Sequence, residues 1–302
     1  MVQLSAVLAY CALIHAFHAA SQAIGGLLLA AVVAWWGWRH RSLSASGAVA
    51  AAVVGWGTLA PSFRAGVTLL AFFFSSSKLT KLGGADKAGV DEEHKEAGQR
   101  DWVQVASNGA LPAALAVAAA LLTGGFDAPL RPAASPALAA LYAAFLGYLA
   151  CCCGDTWASE LGQLSDAEPR LITTLRPVRK GTNGGVTLAG VAASVGGGLF
   201  VGAVFYGAGV LSPTATLPAA LHQWALVPLG AAAGLVGSAI DSALGATVQF
   251  TGYNRRTGMI TGRQGDDVTK ISGLRLLDNN AVNVVSAAAT AALTAAVAVL
   301  LF

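Results

Sequence analysis

Residues 151–162, CCCGDTWASELG, close a long apolar run with two carboxylates, Asp155 and Glu160, bracketed by Gly154 and Gly162. One acid at a helix end is a solvated cap. Two acids flanked by glycines at the mouth of an apolar helix point to a charged group approaching the backbone. On a continuous helix, residues five apart lie about 140° past one full turn and do not share a face. They converge only if the helix breaks between them, or if a metal and phosphate groups bridge them. Downstream, RPVRKGTNGG (176–185) gathers Arg176, Arg179 and Lys180 at a turn, Gly181, Thr182, Asn183 and Gly184, that opens a helix. Such a turn offers free N–H groups and a positive dipole end to an anion. It is not a Walker A loop, because GxxxxGK[ST] does not occur in the chain.

Asp241 stands inside an apolar stretch, GSAIDSALGATVQ (237–249), together with Ser238, Ser242 and Thr247. A carboxylate costs roughly 2.5–3.5 kcal/mol at the bilayer centre and less near the interface, so its default reading is functional or paired. LDNNAVN sets Asp278, Asn279, Asn280 and Asn283 at the start of the last apolar run. Capping accounts for one of them. The remaining amides are suited to phosphate oxygens or to a metal's waters. Lys78 ends SSSK (75–78), where a lysine suits a helix C-terminal dipole as well as an anion. The acidic cluster 91–96 reads as a solvated face. His94 lies in that acidic loop, and His15, His18, His40 and His222 lie far from the motifs, so no histidine is placed as a base.

The elements that must position these groups are membrane helices. The chain is 55% hydrophobic and 11% charged, against about 25% charged in globular proteins, and its mean hydropathy is +0.63. Its 36 glycines allow close helix packing in lipid. Apolar runs predict about nine transmembrane helices, near 3–20, 22–38, 45–60, 63–77, 105–124, 136–153, 185–210, 218–247 and 281–301. The expected fold is an all-α polytopic bundle forming one membrane domain over 1–302. Loops 39–44, 78–104, 154–184 and 248–280 carry 16 of the 18 Lys and Arg, which places them on the cytosolic side. The last three hold the chemistry. No basic helix or aromatic-basic platform suggests nucleic acid, and no cleavable signal peptide or Arg-rich transit segment is expected. Cys11 and Cys151 to Cys153 form neither a disulfide framework nor a CxxC pair. They read as small packing residues, with reversible acylation as the alternative.

Six ordered motifs, FFSSSKLTKLG, EAGQRDWVQVASNG, GDTWASELG, RPVRKGTNGGVTLAG, GSAIDSALGATVQ and LDNNAVN, resemble the integral membrane family that contains eukaryotic transmembrane protein 19 and the plant phytyl-phosphate kinase. The likeness runs from about residue 40 to the end. More remotely, GDTWASELG and the basic Gly-rich turn look like those of CTP-dependent phytol and dolichol kinases and of CDP-diacylglycerol synthases. The resemblance implies a CTP-dependent kinase that converts an isoprenoid (phytyl or polyprenyl) monophosphate to the diphosphate. Under it, Asp155, Glu160 and Asp241 are candidate Mg²⁺ ligands, with Asp155, Lys180 and Asp241 catalytic. Lys180, Arg179, Arg176 and Lys78 are phosphate clamps, and the turn from Gly181 to Gly184 cradles the nucleotide phosphates. Asn279, Asn280 and Asn283 support phosphate or metal. The partners implied are the lipid, the nucleotide and the membrane, endoplasmic reticulum or plastid, with a homodimer left open. The residues also leave open a kinase acting on the free alcohol, a lipid cytidylyltransferase, and a transporter or flippase.

Overall fold

The structure, a computed structural model, describes residues 2–82, 89–90, 92, 98–213 and 217–301, with side chains from residue 19 to residue 300. Glu96, His94 and all of the 91–96 cluster except Glu92 lie outside the described residues, as do the side chains of Cys11, His15 and His18. The helices are α1 (Val2–Arg39), α2 (Ala45–Leu59), α3 (Phe63–Lys81), α4 (Trp102–Thr123), α5 (Pro136–Leu164), α6 (Leu188–Leu211), α7 (Leu217–Leu221), α8 (Leu226–Thr247) and α9 (Asn279–Leu301). Among them, six segments are long and apolar enough to cross a membrane: α1 from Ala19, α4, α5, α6, α7 with α8, and α9. The remainder, α2, is shorter, and α3 carries Arg64, Lys78 and Lys81.

Nine becomes six because the first expected pair merges and because α2 and α3 do not qualify by length and composition; two further helices have other bounds than expected. The expected pair 3–20 and 22–38 is one helix, because Ala19 to Gln22 contain no breaker. The expected 218–247 helix is divided: α8 restarts at Leu226 with Pro228 in its first turn, where a missing N–H is harmless. Helix α5 does not stop at 153 but runs to Leu164, so the whole GDTWASELG motif is helical. The four basic loops meet at one end of the bundle: Lys81 Nζ donates to the His40 carbonyl at 2.7 Å, the Ile260 N–H to the Val90 carbonyl at 2.9 Å, and Asn183 Nδ2 to Thr251 Oγ1 at 2.9 Å.

The basic loops are not structureless. Strands β1 (Arg170–Leu171) and β2 (Gly185–Val186) pair antiparallel across the Gly-rich turn. Strands β3 (Thr251–Asn254), β4 (Met259–Thr261) and β5 (Val268–Ser272) form a small antiparallel sheet in the order β4-β3-β5. An all-α expectation therefore holds for the bundle and not for these loops. Val90 and Glu92 add to the sheet edge: the Ile260 N–H donates to the Val90 carbonyl at 2.9 Å, and the Glu92 N–H donates to the Ile260 carbonyl at 3.0 Å.

Helix α5 is the axis of the bundle, buried almost continuously from Tyr142 to Gly154. Helices α6, α8 and α9 pack around it. A Cβ on Gly154 would stand 2.9 Å from both Gly234 Cα of α8 and the Ser194 carbonyl of α6. Only glycine lets three backbones meet there. Tyr148 Oη donates to the Ser107 carbonyl at 2.5 Å and ties α4 to the axis.

The end opposite the basic loops is locked by a polar knot. Asp127 accepts from Ser62 Oγ at 2.5 Å, the Arg64 N–H at 2.9 Å and Ser212 Oγ at 3.0 Å. The Arg64 guanidinium donates to the Phe205 carbonyl at 2.9 Å and to Gln223 Oε1 at 3.2 Å, and lies 3.9 Å over the Phe205 ring. Gln223 Nε2 reaches the Leu130 carbonyl at 3.4 Å.

Candidate functional site

Glycine contacts set the geometry of the basic end. With α5, α6 and α8 held together at Gly154, Ser194 and Gly234, the next turns of α5 and α8 place Asp155 and Asp241 on the wall of one cavity of about 370 Å³. The two carboxylates interact electrostatically. Asp155 accepts from Ser238 Oγ at 3.4 Å, and Asp241 accepts from Ser286 Oγ at 2.9 Å. The cavity is also lined by Lys180, Gly181, Thr182, Asn183 and Gly184, by Ser159, Ser194, Ser242 and Gln249, and by Asn279.

The turn is built for this position. Gly181 and Gly184 have φ of 85° and 76°, in the left-handed region where a side chain is strained. A Cβ on Gly184 would lie 2.5 Å from the Ser242 carbonyl, so the turn sits directly on α8. Asn183 Nδ2 donates to Thr251 Oγ1 at 2.9 Å, which ties the turn to β3. Thr187 caps α6 by accepting from the Gly190 N–H at 3.1 Å. Lys180 Nζ donates to the Ser165 carbonyl at 2.6 Å, just past the end of α5. Thr182 is buried on the cavity wall, and its Oγ1 has no hydrogen-bond partner among the described residues.

Some of the expected site residues therefore converge and others do not. Asp155, Asp241, Lys180, the turn from Gly181 to Gly184, and Asn279 share the cavity. Glu160 does not. Helix α5 is unbroken through both acids, so Glu160 projects from another face and interacts with Arg100. Burial lowers the Arg100 guanidinium from its ordinary value, and the Glu160 charge opposes that. Among the described residues no group of three His, Cys, Asp or Glu could hold a metal, so the three-carboxylate set is not assembled. Arg176 is exposed beyond β1, and Lys78 is exposed on α3. Neither lines the cavity. Arg179 lies 4.1 Å over the Tyr253 ring and faces an adjoining cavity. Asn280 and Asn283 are also off the cavity wall; the Asn283 carbonyl accepts from Ser286 Oγ at 3.1 Å. Asp278 supplies the cap of α9, accepting from the Ala281 N–H at 2.8 Å. Gly154 serves helix packing against Gly234, whereas Gly162, where an added Cβ would stand 3.5 Å from Gly190 Cα, lines the cavity.

Ser286 escaped the sequence reading. Its signal is the four-residue stripe Ser286, Thr290, Thr294, all buried, in an otherwise Ala- and Val-rich helix. That spacing marks one face, and the face meets Asp241 and the axis.

A family model described as "Integral membrane protein DUF92" matches residues 28–291. Protein PGR of Arabidopsis thaliana is 46% identical over 279 residues, covering 92% of this chain and 97% of the relative. An uncharacterized membrane protein of Synechocystis sp. is 31% identical over 217 residues, 71% of each chain. One of Methanocaldococcus jannaschii is 28% identical over 217 residues, 71% of this chain and 78% of the relative. No solved structure matches.

Proposed function

The chain belongs to the DUF92 family of multi-pass integral membrane proteins, and on that premise we propose that it is a phosphotransferase acting on a lipid phosphate, a CTP-dependent kinase of an isoprenoid monophosphate. The observation that carries the reading is the composition of one cavity. Its wall holds two carboxylates, a lysine and a Gly-rich turn, and Val191 of α6 and Leu235 of α8 add accessible apolar surface to the same cavity. A headgroup can reach the polar wall while an apolar chain leaves sideways between the helices.

In the proposed step, an oxygen of the lipid phosphate attacks the γ-phosphorus of the nucleoside triphosphate. The bond to the β–γ bridging oxygen breaks, giving a lipid diphosphate and a nucleoside diphosphate. The acceptor is already an anion, so no base has to remove a proton. Catalysis reduces to positioning and charge neutralisation, which agrees with a cavity wall that has no histidine. Lys180 and the N–H groups of the turn bind the donor phosphates. Asp155 and Asp241 fit Mg²⁺, since this ion is bound through one or two carboxylates, with waters and substrate phosphates completing the shell. Bound Mg²⁺ supplies neutralisation of the phosphate charge. Ser238 and Ser286 orient the two carboxylates.

The charged groups of the cavity lie at the basic-loop end of the bundle, and those at the opposite end, Asp127 and Arg64, are closed into the knot rather than lining a path. A carrier needs polar groups along its path through the bilayer, so this sidedness supports an interfacial enzyme. The test is purified full-length protein in detergent with Mg²⁺, γ-labelled CTP and phytyl or geranylgeranyl monophosphate. Label is expected in a lipid diphosphate, and Asp155→Asn is expected to remove it. No transfer from CTP, ATP, GTP or UTP to a panel of isoprenoid phosphates and alcohols would refute the reading. Lipid-bound CMP with release of pyrophosphate would replace it with cytidylyl transfer.

A further inference from the structure

The Gly-rich turn has a second side. Pro169 and Lys180 line the first cavity and also a neighbouring one of about 480 Å³, within the range of about 300–1,000 Å³ usual for small-molecule sites. Asp166 and Glu168 stand on one wall of this second cavity, and Arg179 and Tyr253 on another. The guanidinium lies 4.1 Å over the Tyr253 ring, a flat platform of the kind on which heterocycles stack. Val90 also lines the cavity, in the segment that pairs with β4.

Its chemistry differs from that of the first cavity. Two acceptor-only carboxylates repel a phosphate. The walls come from the loops on the basic side and not from the membrane helices, so an isoprenoid chain gains no lipid-like surroundings there. A planar group bearing N–H donors satisfies both walls. The charged residue shared between the two cavities is Lys180, which is what a ligand with a phosphate end and a heterocyclic end would straddle.

We propose that this second cavity binds the nucleoside of the phosphate donor, its base stacked on Arg179 and Tyr253 and its exocyclic amino group donating to Asp166 and Glu168. The inference rests on the phosphotransferase reading and extends it to base selection. Cytosine carries the amino donor. Uracil sets a carbonyl oxygen in its place, facing carboxylates with no proton between them, and a site built to pair a donor rejects an analogue that lacks it.

The test measures equilibrium binding of CTP, UTP and inorganic tripolyphosphate to the full-length protein in detergent with Mg²⁺, alongside the transfer assay. Wild type should bind CTP at least about tenfold more tightly than UTP. Tyr253→Ala should weaken CTP binding about tenfold and leave tripolyphosphate binding unchanged, with Tyr253→Phe restoring CTP. The Asp166→Asn, Glu168→Gln pair should bring CTP and UTP within about threefold of each other. Wild-type CTP affinity in both Tyr253→Ala and the acidic double variant, in protein that still transfers label, would overturn this inference and leave the kinase reading standing. Protein that melts as a folded species but neither transfers label nor binds tripolyphosphate would overturn both.

Discussion

The molecule buries polar residues at both ends, and the two ends treat them in opposite ways. At the knot, Asp127 receives three hydrogen bonds, and the Arg64 guanidinium is spent on Phe205 and Gln223. The void left beside them is about 10 Å³, room for one water at most. At the cavity, half-buried Asp155 and Asp241 each accept one hydroxyl bond among the described residues, buried Thr182 Oγ1 has no partner among them, and all three line a space of about 370 Å³. Buried polar groups are normally satisfied. Groups that saturate one another hold a fold together; groups left short around a void are arranged for something the protein itself does not supply. By that criterion the knot is structural and the cavity is functional, although both would look alike as scattered acids and hydroxyls in an apolar sequence.

The largest effect that separates them is expected at the knot. Asp127→Ala removes the carboxylate that accepts from both hydroxyls and from the Arg64 backbone. Breaking a buried charged cluster in this way costs about 3–5 kcal/mol. The expected result is a lower melting temperature and lower yield in detergent, with the protein that remains folded keeping its transfer rate per molecule. The reverse is expected for Asp155→Asn and Asp241→Asn: transfer falls at least about 10²-fold, the scale of losing one preorganised charge contact, while melting changes little. If Asp127→Ala and Asp155→Asn gave the same profile in the two assays, the division of the molecule into a locked end and a working end would fail.

Gly184→Ala should act between these. Its backbone is left-handed, and the added carbon would press on Ser242. The turn must therefore shift off α8, raising the KM for nucleotide more than it lowers stability. Thr182→Val is subtler and more discriminating. Removing a hydroxyl that has no partner should leave the ligand-free protein as stable as wild type, or more so, because an unpaired buried polar group costs about 1–3 kcal/mol. Nucleotide binding should nevertheless weaken about tenfold if that hydroxyl meets a phosphate. A Thr182→Val protein that is destabilised and binds nucleotide normally would move this residue to the structural class.

How much of this was legible in the residues follows from what each signal depends on. Asp155, Asp241, Lys180 and the turn were readable because a charge in an apolar helix, or a Gly-rich basic turn ahead of one, is costly unless it does something, and cost is local. Convergence was not readable. Whether Glu160 joins Asp155 depends on α5 running unbroken to Leu164, and Gly154 reads as room for a charged group at the backbone when it is a packing contact with Gly234. Glycine has the same letter in a helix crossing and in a turn. The sheet formed by β3, β4 and β5 was missed for a related reason: strands of three to five residues leave no hydrophobic period to detect. The knot was visible only as a lone Arg64 and Asp127 on the sparsely charged side, 63 residues apart.

The smallest effect concerns the strap that walls the second cavity. Glu92 accepts from Thr257 Oγ1 and from Asn254 Nδ2, the latter at 2.8 Å. The hydrogen bond from Thr257 is the main cause holding its carboxyl below the ordinary carboxylate value; Thr261, Asn254 and the charge of Arg256 add to it, and partial desolvation opposes it. A depressed folded pKa stabilises the docked strap above the unfolded value, about 4.3 for glutamate, and that contribution fades as pH falls through the folded value. Glu92 is fully exposed, so solvent screens the tie and its weight is slight. The checkable consequence is exchange of the Ile260 amide, which donates to Val90. Corrected for intrinsic rate, its protection should be constant from pH 8 to 6 and decline below about pH 4, and Glu92→Gln should remove the decline. The knot at the other end, shut on itself, should show no matching change in the Arg64 amide. Equal acid sensitivity at both ends would mean that the bundle loosens as a whole and that the Glu92 tie has no separate effect.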